Sequence, residues 1–361
     1  MVNMALPKSN CIVLSDNSTD MTEGVFGQDA LSYTYAAFMA LFCLLCFIGN
    51  ILNLVVLRKL TNLTAPRKVV FFFLSLSDFC TGIGWVPSVP AAVLKAFPFG
   101  RGFCVFCFYL IITNLGISIF LLLLVTFDCF IAVVYPYRYA SMITTFRVTA
   151  VSVVVTVGYY LGMPILMGVG SSGAFSDIEF YPSVGICFVS YRSKGLLTYS
   201  VYVFSYVLIL FAILMTIMQG MVANVSRKQA RRIAESEGRF RESALTDVKD
   251  SNHGTERNGA QGPLQIPRRR QQSELKGVLV CIALSASFFV SWLPTAVWQI
   301  YTIQKGGCVN PAILIVITSF ASSQCWINPF IYMIMKRSYR EQVNKILDGM
   351  VKRCQKQHDQ F

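Results

Sequence analysis

Two carboxylates stand beside long apolar runs of the sequence, where a charged group is unexpected. Asp78 lies within the run FFFLSLSDFCTG, and Asp128 closes the run that ends in VTFD. A charge inside lipid costs free energy unless it is paired, so an acid in such a position usually binds a cation or relays a proton. We interpret Asp78, the only acid in the middle of an apolar segment, as a cation or proton site. The alternative is a buried carboxyl that is only protonated or hydrogen-bonded.

Uncharged polar residues occur at a compatible depth in other apolar segments. Their amide and hydroxyl oxygens are the ligands that hard cations prefer. The residues that we expect to converge on Asp78 are Asn50, Asn114, Ser118 and Asn328.

The sequence lacks the groups that enzymes and metal centres use. Its two histidines, His253 and His358, lie in polar stretches, and most of the 12 cysteines lie in apolar segments, including the C-x-x-C spacings Cys43/Cys46 and Cys104/Cys107. Cysteines in such segments are usually small core residues rather than metal ligands. Because no imidazole or pair of acids lies within an apolar segment, general acid–base catalysis has no candidate residues. We therefore expect neither an enzyme nor a transition-metal site.

The composition indicates that these residues are positioned by helices in a membrane. The chain has 361 residues, 55% hydrophobic and 14% charged, with a mean hydropathy of +0.56. Crossing the hydrocarbon takes about 20 mostly apolar residues. Seven segments qualify, at 33–57, 68–94, 104–134, 147–169, 196–222, 275–303 and 311–335.

The basic residues predict the orientation of these spans. Of the 31 Lys and Arg residues, 25 fall on one side of the seven segments and 6 on the other. Because basic residues mark the cytoplasmic side, the N-terminus should be outside and the C-terminus inside, at the plasma membrane. Asn17-Ser18-Thr19 is then an extracellular glycosylation acceptor. The net charge of +13 belongs to this pattern and does not predict nucleic-acid binding.

The spans predict an all-α membrane protein with a polar segment at each end of the chain. We predict an extracellular tail at 1–32, a seven-transmembrane-helix bundle at 33–335, and a helix and cytoplasmic tail at 336–361. The connection at 223–273 should begin as a basic helix and then become mostly disordered. The tail should form a C-terminal amphipathic surface helix against membrane lipid, where Cys354 could carry an acyl group.

Four cysteines lie on the predicted outer side, where the environment is oxidising. Cys104 opens the third span and Cys187 follows the fourth, while Cys11 and Cys308 lie elsewhere outside. We take Cys104 and Cys187 as the disulfide pair, although four cysteines allow three connectivities.

Motifs at the right spacing make nearly the whole chain similar to the rhodopsin-like (class A) G-protein-coupled receptors. Each matches a conserved position of that family's helices, with Ser in place of Cys in the sixth span. The matching residues are Gly49-Asn50, Leu74-Ser75-Leu76-Ser77-Asp78, Cys104, Phe288, Ser291-Trp292-Leu293-Pro294 and Asn328-Pro329-Phe330-Ile331-Tyr332.

The largest departure from the family lies at the end of the third span. Asp128 occupies the first place of the family's Asp-Arg-Tyr triplet, but Cys129 stands where the Arg is normal. In the family that Arg pairs with an acid of the sixth helix in the inactive state and turns toward the G protein on activation. Glu274 is at the position of that acid, and Met215 replaces a Tyr of the same switch. Cys129 supplies neither the charge nor the planar fork of a guanidinium.

The resemblance implies roles for most of the remaining motif residues. Asp78, Ser118 and Asn328, with Asn114 nearby, would form a sodium pocket, an inhibitory allosteric site. Trp292 would respond to ligand in the outer half of the bundle. The residues implied in activation and coupling are Asp128, Cys129, Glu274, Phe288, Pro294, Pro329 and Tyr332.

The resemblance also limits the ligand. Ile111 stands where amine receptors carry an Asp, so we do not expect a simple biogenic amine, because an ammonium that leaves water needs a counter-ion. The seventh span has no Lys, which excludes covalent retinal. The pocket should be mostly apolar, with a few hydrogen-bonding groups. Its expected residues are Ile111, Phe204, Trp292, Thr295, Gln299 and Ser322.

Conventional coupling to a heterotrimeric G protein, with arrestin and receptor kinases as further partners, is the first interpretation. A receptor that couples weakly or not at all, and acts as a scavenger, an arrestin-biased receptor or a dimer partner, is the main alternative because of Cys129 and Met215. A transporter is a remote one, since a single acid within the membrane and an odd number of spans give no transport path.

Overall fold

The computed structural model describes residues 25–61, 63–169, 178–182, 184–190, 195–250, 265–305 and 310–358. Within this part of the chain there are ten helices and one two-stranded sheet. In chain order they are α1 (Val25–Lys59), α2 (Ala65–Trp85), α3 (Ser88–Leu94), α4 (Arg101–Val134), α5 (Pro136–Met142), α6 (Thr145–Val169), β1 (Ile178–Tyr181), β2 (Ile186–Val189), α7 (Leu196–Asp250), α8 (Gln265–Gln304), α9 (Pro311–Met335) and α10 (Arg337–His358).

Seven stretches of these helices are long and apolar enough to cross a membrane, which confirms the predicted number of spans. They come from α1, α2 with α3, α4, α6, α7, α8 and α9. Helices suit the bilayer because every backbone group within them is hydrogen-bonded internally. The second span is interrupted, since α2 ends at Trp85 and Pro87 is the N-cap residue of the short α3. We call the end of the bundle that carries Asp128 the inner end and the end that carries Cys104 the outer end.

The helices place their polar side chains inward and much of their apolar surface outward. Asn50, Asn114 and Ser118 are at most 1% exposed, whereas Ile48 and Leu161 are 54% and 62% exposed. This arrangement is stable only in a lipid environment, where apolar side chains face outward without penalty. The helix α4 packs against α2, α6, α7 and α8 and therefore lies at the centre of the bundle.

The connection after the fifth span starts and ends in helices. The helix α7 continues without interruption to Asp250, and α8 already begins at Gln265. Helix therefore occupies 223–250 and 265–273, on both sides of the stretch for which the sequence predicts disorder. Residues 223–250 contain no proline and are rich in Arg, Glu, Ala and Lys, which favour helices. Residues 251–264 lie outside the described part of the chain.

A short hairpin covers the outer end. The strands β1 and β2 are antiparallel, with Phe180 opposite Cys187. Gly185 lies in the turn with φ +61°, and a Cβ atom there would be 2.3 Å from the Ser88 carbonyl oxygen and 2.5 Å from the Ala92 nitrogen. Only glycine adopts this conformation so close to another backbone.

We therefore expect Gly185→Ala to destabilise the outer end. The left-handed conformation alone costs an alanine about 1–2 kcal/mol, and the backbone of α3 must also move. In thermal unfolding of the purified protein, the variant should show a lower melting temperature than the wild type. Gly158→Ala is the matched control, because a Cβ atom at Gly158 would meet nothing within 4 Å. An unchanged melting temperature for Gly185→Ala would contradict this description of the hairpin.

Candidate functional site

A cavity of about 170 Å³ lies beneath the hairpin in the outer half of the bundle. Side chains from α2, α4, α6, α7, α8, α9 and β2 line the cavity. Most of the membrane-spanning helices therefore border it. Ile111, Phe204, Trp292, Thr295 and Gln299 are among the lining residues, as the sequence predicts. Its volume is below the 300–1,000 Å³ typical of ligand pockets and suits a compact ligand.

The prediction of Ser322 as a pocket residue is wrong. Its side chain is fully buried and its hydroxyl donates to the Ser319 carbonyl oxygen at 3.2 Å, so it faces its own helix. The neighbouring Ala321 lines the cavity instead. A helix presents successive residues about 100° apart, so an error of one position changes the face completely.

Aromatic side chains that the sequence analysis did not single out complete the cavity wall. Trp85, Phe108, Tyr159, Phe188 and Trp298 all line it. Motif reasoning found only Trp292, because the others stand at positions with no recognisable pattern. Among the described residues that line the cavity, none carries a charge.

Most polar groups of the lining already have partners within the protein. The Thr295 hydroxyl donates to the Ser291 carbonyl oxygen at 3.0 Å, and the Thr318 hydroxyl donates to the Leu314 carbonyl oxygen at 2.6 Å. The Gln299 side-chain oxygen accepts from the Ser205 hydroxyl at 2.8 Å. The amide NH₂ of Gln299 can then donate a hydrogen bond to a ligand, as can the indole N–H groups of Trp85 and Trp292, which have no hydrogen-bond partner among the described residues.

Cys104 at the start of α4 and Cys187 in β2 meet at the outer end, with Cα atoms 5.6 Å apart. This separation lies within the range of disulfides. The two sulfurs belong to an apolar cluster with Val105, Phe108 and Val189. The contact fixes the hairpin over the cavity.

A cluster of polar side chains surrounds Asp78 halfway along the bundle. The carboxylate is fully buried; one oxygen accepts from the Ser118 hydroxyl at 2.7 Å and the other from the Asn328 amide at 2.9 Å. Three predicted members of the site therefore meet. Asn114 is connected through Ser77, whose hydroxyl donates to the Asn114 carbonyl oxygen at 2.7 Å and accepts from Ser118 at 3.1 Å.

This cluster suits a small cation. In the described part of the chain Asp78 forms no ion pair, so a buried carboxylate there needs either a bound cation or a proton. The oxygens of Asp78, Ser118 and Asn328 are within reach of one another and are hard ligands. Asn50 forms a separate set of hydrogen bonds instead. Its side-chain amide donates to the Cys325 carbonyl oxygen at 2.9 Å and to the Cys46 carbonyl oxygen.

At the inner end Asp128 has an unexpected partner. One carboxylate oxygen lies 2.5 Å from the Nε atom of Arg67, which comes from α2, and the other accepts from the Tyr139 hydroxyl at 2.8 Å. The Asp128 side chain is 9% exposed and that of Arg67 is 31% exposed. A guanidinium, which the sequence lacks at position 129, is therefore present beside Asp128, supplied by another helix.

The surroundings of this ion pair fix its position. The Arg67 guanidinium lies 5.9 Å from the centre of the Tyr139 ring, within the range of a cation–π contact. Burial raises the pKa of the Tyr139 phenol, and the Asp128 carboxylate raises it further, so the hydroxyl remains a hydrogen-bond donor. Burial, reinforced by Arg67, lowers the pKa of Lys336, which follows α9. The inner end is thus electropositive around one carboxylate.

Three spans are joined by a hydrogen-bond network close to this ion pair. The Gln219 amide of α7 donates to the Ser285 hydroxyl of α8 at 2.9 Å, and Ser285 lies 3.3 Å from the Thr126 hydroxyl of α4. Met215 is buried one turn away from Gln219. Sequence analysis missed Arg67, Gln219 and Ser285, because Arg67 was counted only as a cytoplasmic charge and the other two match no motif.

The other residues that the sequence linked to activation lie inside the bundle. Phe288 and Tyr332 are at most 2% exposed, and the Tyr332 ring lies 4.6 Å from that of Phe71. Pro294 and Pro329 lie inside α8 and α9, where they remove a backbone donor from the helix. The side chains of Glu274 and Cys354, and the whole of residue Asn17, lie outside the part that the structure describes.

Known proteins resemble this chain over most of its length. Residues 49–332 match the family described as 7 transmembrane receptor (rhodopsin family). Trace amine-associated receptor 6 from Homo sapiens is 25% identical over 323 residues, which cover 85% of this chain and 83% of that receptor. G-protein coupled receptor 161 from Mus musculus is 24% identical over 336 residues, which cover 89% of this chain.

The chain spans 58% of the length of the mouse receptor 161, so it corresponds to only part of that relative. The crystal structure of squid rhodopsin superimposes with a TM-score of 0.65 at 17% identity, covering 95% of this chain and 92% of the rhodopsin chain. That likeness shows the fold. The matched family and both relatives are receptors, which confirms that the chain is not an enzyme. Because the family match covers most of its residues, the chain belongs to the rhodopsin family of seven-transmembrane receptors.

Proposed function

We propose that the protein is a plasma-membrane receptor that binds a compact, uncharged and mostly apolar extracellular ligand and activates a heterotrimeric G protein. The N-terminus is extracellular and the C-terminus cytoplasmic, so the inner end faces the G protein. The observation that carries the proposal is the Arg67–Asp128 ion pair. It supports coupling because it supplies the inner end with a guanidinium despite Cys129.

The lining of the outer cavity supports the ligand class. Binding a charged ligand there would leave its charge without a partner, at a cost of several kcal/mol. Aromatic rings of Phe108, Phe204 and Trp292 offer apolar contact, and the Gln299 amide offers one directional hydrogen bond. A ligand with an apolar body and one carbonyl or hydroxyl oxygen fits these groups.

An amine is the competing ligand class, since one relative is named a trace amine-associated receptor. An ammonium bound in the cavity needs a carboxylate within a few Å. The described lining residues include no Asp or Glu, and the family resemblance implies that Ile111 stands at the position at which amine receptors carry the acid. The cavity therefore disfavours an amine.

The test is a thermal-shift screen of the purified receptor with matched pairs of compounds, in which an amine is compared with its uncharged isostere. We expect the uncharged members to raise the melting temperature. Gln299→Leu should weaken the affinity, obtained from the concentration dependence of the shift, by about tenfold for ligands that contain a carbonyl group, the effect of one hydrogen bond. Gln304→Leu, at an exposed site near the same end, should not. Stabilisation by amines alone would refute this ligand class.

The cluster around Asp78 is proposed as a sodium site that restrains activation. Asp78, Ser118 and Asn328 would hold the ion, with Asn114 behind Ser77. Sodium chloride should therefore raise the melting temperature above that in choline chloride at equal ionic strength. Asp78→Asn should abolish this difference, because the amide carries no charge to attract the ion. Asp348→Asn, an exposed acid of α10, is the control. A wild-type receptor that is indifferent to sodium would contradict the proposal.

The outer hairpin and the two ends of the chain also have roles in the proposed receptor. The outer hairpin is held by a Cys104–Cys187 disulfide, and Asn17 is glycosylated in the extracellular tail, 1–32. In the segment 336–361, α10 rests on membrane lipid. Its Tyr339 and Val343 are buried, which supports packing along the inner face, and Cys354 is acylated. The cytoplasmic surface also serves receptor kinases and arrestin.

A receptor that binds ligand without activating a G protein is the second candidate. Cys129 and the buried Met215 favour it, because both replace residues of the family's switch. Comparing G-protein activation by the wild type with that by Cys129→Arg separates the two candidates, since a receptor with a lost switch should gain activity from the substitution.

A further inference from the structure

Two free cysteines of different helices lie in one apolar cluster at the inner end. Cys129 of α4 and Cys281 of α8 are both free cysteines, and Cys281 packs against the apolar cluster to which Cys129 belongs. Cys129 is 3% exposed, while Cys281 is half-buried. They share an apolar cluster with Val222 and Val278, which holds the helices together at this level.

The surroundings of Cys281 are those of a reactive thiol. Arg67 and Lys336 both act electrostatically on its sulfur, with Asp128 as the opposing charge. Partly exposed cysteines beside cations are the ones that react with oxidants, because the thiolate is the nucleophile. The buried Cys129 beside it is in the position of a resolving cysteine.

We propose that Cys129 and Cys281 form a reversible disulfide that links α4 to α8 when a cytoplasmic hydroperoxide oxidises the receptor. The Cys281 thiolate attacks the peroxide, which breaks the O–O bond, releases water or an alcohol and leaves a sulfenic acid. The Cys129 sulfur then attacks that sulfur and water leaves as the S–S bond forms. The two electrons lost by the two thiols reduce the peroxide.

The consequence for signalling depends on the proposed function. In the family, an ion pair between the third and sixth helices restrains the inactive state. A Cys129–Cys281 disulfide would restrain the same two helices covalently, and cellular thiols would reverse it. Cytosolic disulfides of this kind are transient and serve as redox sensors.

A fragment-linkage assay tests the bond without requiring any G-protein activity. A protease site is placed between Asp250 and Gln265, so that cleavage of the full receptor in membranes separates Cys129 from Cys281 in the sequence. Cys308→Ser is included in every receptor, because Cys308 could pair with Cys11 across the same cut. After treatment with hydrogen peroxide we expect the two fragments to remain joined without reductant and to separate in dithiothreitol.

Cys129→Ser and Cys281→Ser should each abolish the linkage, and Cys80→Ser, at a half-buried free cysteine of α2, should preserve it. Fragments that separate after oxidation of the parent receptor would overturn the proposal, as would linkage that survives in Cys129→Ser. The two single variants provide independent tests should one of them fold poorly.

Nucleotide exchange by a G protein provides the second readout. Oxidation should suppress the exchange that the parent receptor supports and dithiothreitol should restore it, whereas Cys281→Ser should be insensitive. If the two fragments are linked but nucleotide exchange is unchanged, the disulfide forms without restraining the receptor. The signalling consequence is then refuted, while the disulfide itself is not. A receptor with no exchange at all would refute the proposed function and leave the linkage assay intact.

Discussion

Arg67→Met should abolish G-protein activation and lower the melting temperature of the receptor. The substitution leaves the Asp128 carboxylate, 9% exposed, with the Tyr139 hydroxyl as its remaining partner. The loss of a charge-assisted hydrogen bond to a buried carboxylate costs about 2 kcal/mol of unfolding free energy. It also removes the guanidinium that we assign to the coupling surface.

Thermal unfolding and nucleotide exchange should be measured in the same preparation. Arg67→Lys should keep part of the stability, since it retains the charge without the planar fork. Arg58→Met changes an exposed Arg at the end of α1 and should affect neither quantity. If Arg67→Met activates a G protein as well as the wild type does, Arg67 is only a structural partner of Asp128.

Cys129→Arg should destabilise the receptor rather than repair it. The introduced guanidinium would share one carboxylate with Arg67 and would approach Lys336, which already acts on the neighbouring Cys281. Like charges in a partly buried site repel by about 1–4 kcal/mol at 4 Å. The buried Cys129 also leaves little room for a longer side chain, and overpacking costs about 1–3 kcal/mol.

The double variant Arg67→Met with Cys129→Arg is the critical comparison, because it moves the guanidinium from α2 to α4 at constant net charge. We expect it to be more stable than Cys129→Arg alone, since the repulsion is removed and Asp128 regains a partner. A thermodynamic cycle of the four receptors measures this coupling directly. Additive losses in the double variant would show that positions 67 and 129 do not compete for Asp128.

The sequence predicted the Asp78 cluster because each member stands out alone. A polar residue in an apolar helix is easily recognised in the sequence. In lipid such residues must form hydrogen bonds with one another, as Asp78, Ser118 and Asn328 do. The number of spans was equally accessible, because it depends only on segment length and hydropathy.

The partner of Asp128 was not predictable in the same way. Arg67 stands 61 positions earlier in the chain, and its place near the start of α2 resembles that of any basic residue at a membrane boundary. Only the packing of α2 against α4 decides that it reaches Asp128. The Ser322 error has a related origin, since the face of a helix that borders a cavity depends on the rotation of that helix.

The central claim is that this receptor couples to a G protein without an Arg at position 129. The most direct test is ligand-free nucleotide exchange by a panel of heterotrimeric G proteins, with wild type and Cys129→Arg in lipid nanodiscs at equal receptor amounts. We predict exchange above the receptor-free rate for the wild type, because Cys129 cannot form the family's inactive-state ion pair, and at least as much as for Cys129→Arg. A silent wild type beside an active Cys129→Arg would contradict the claim.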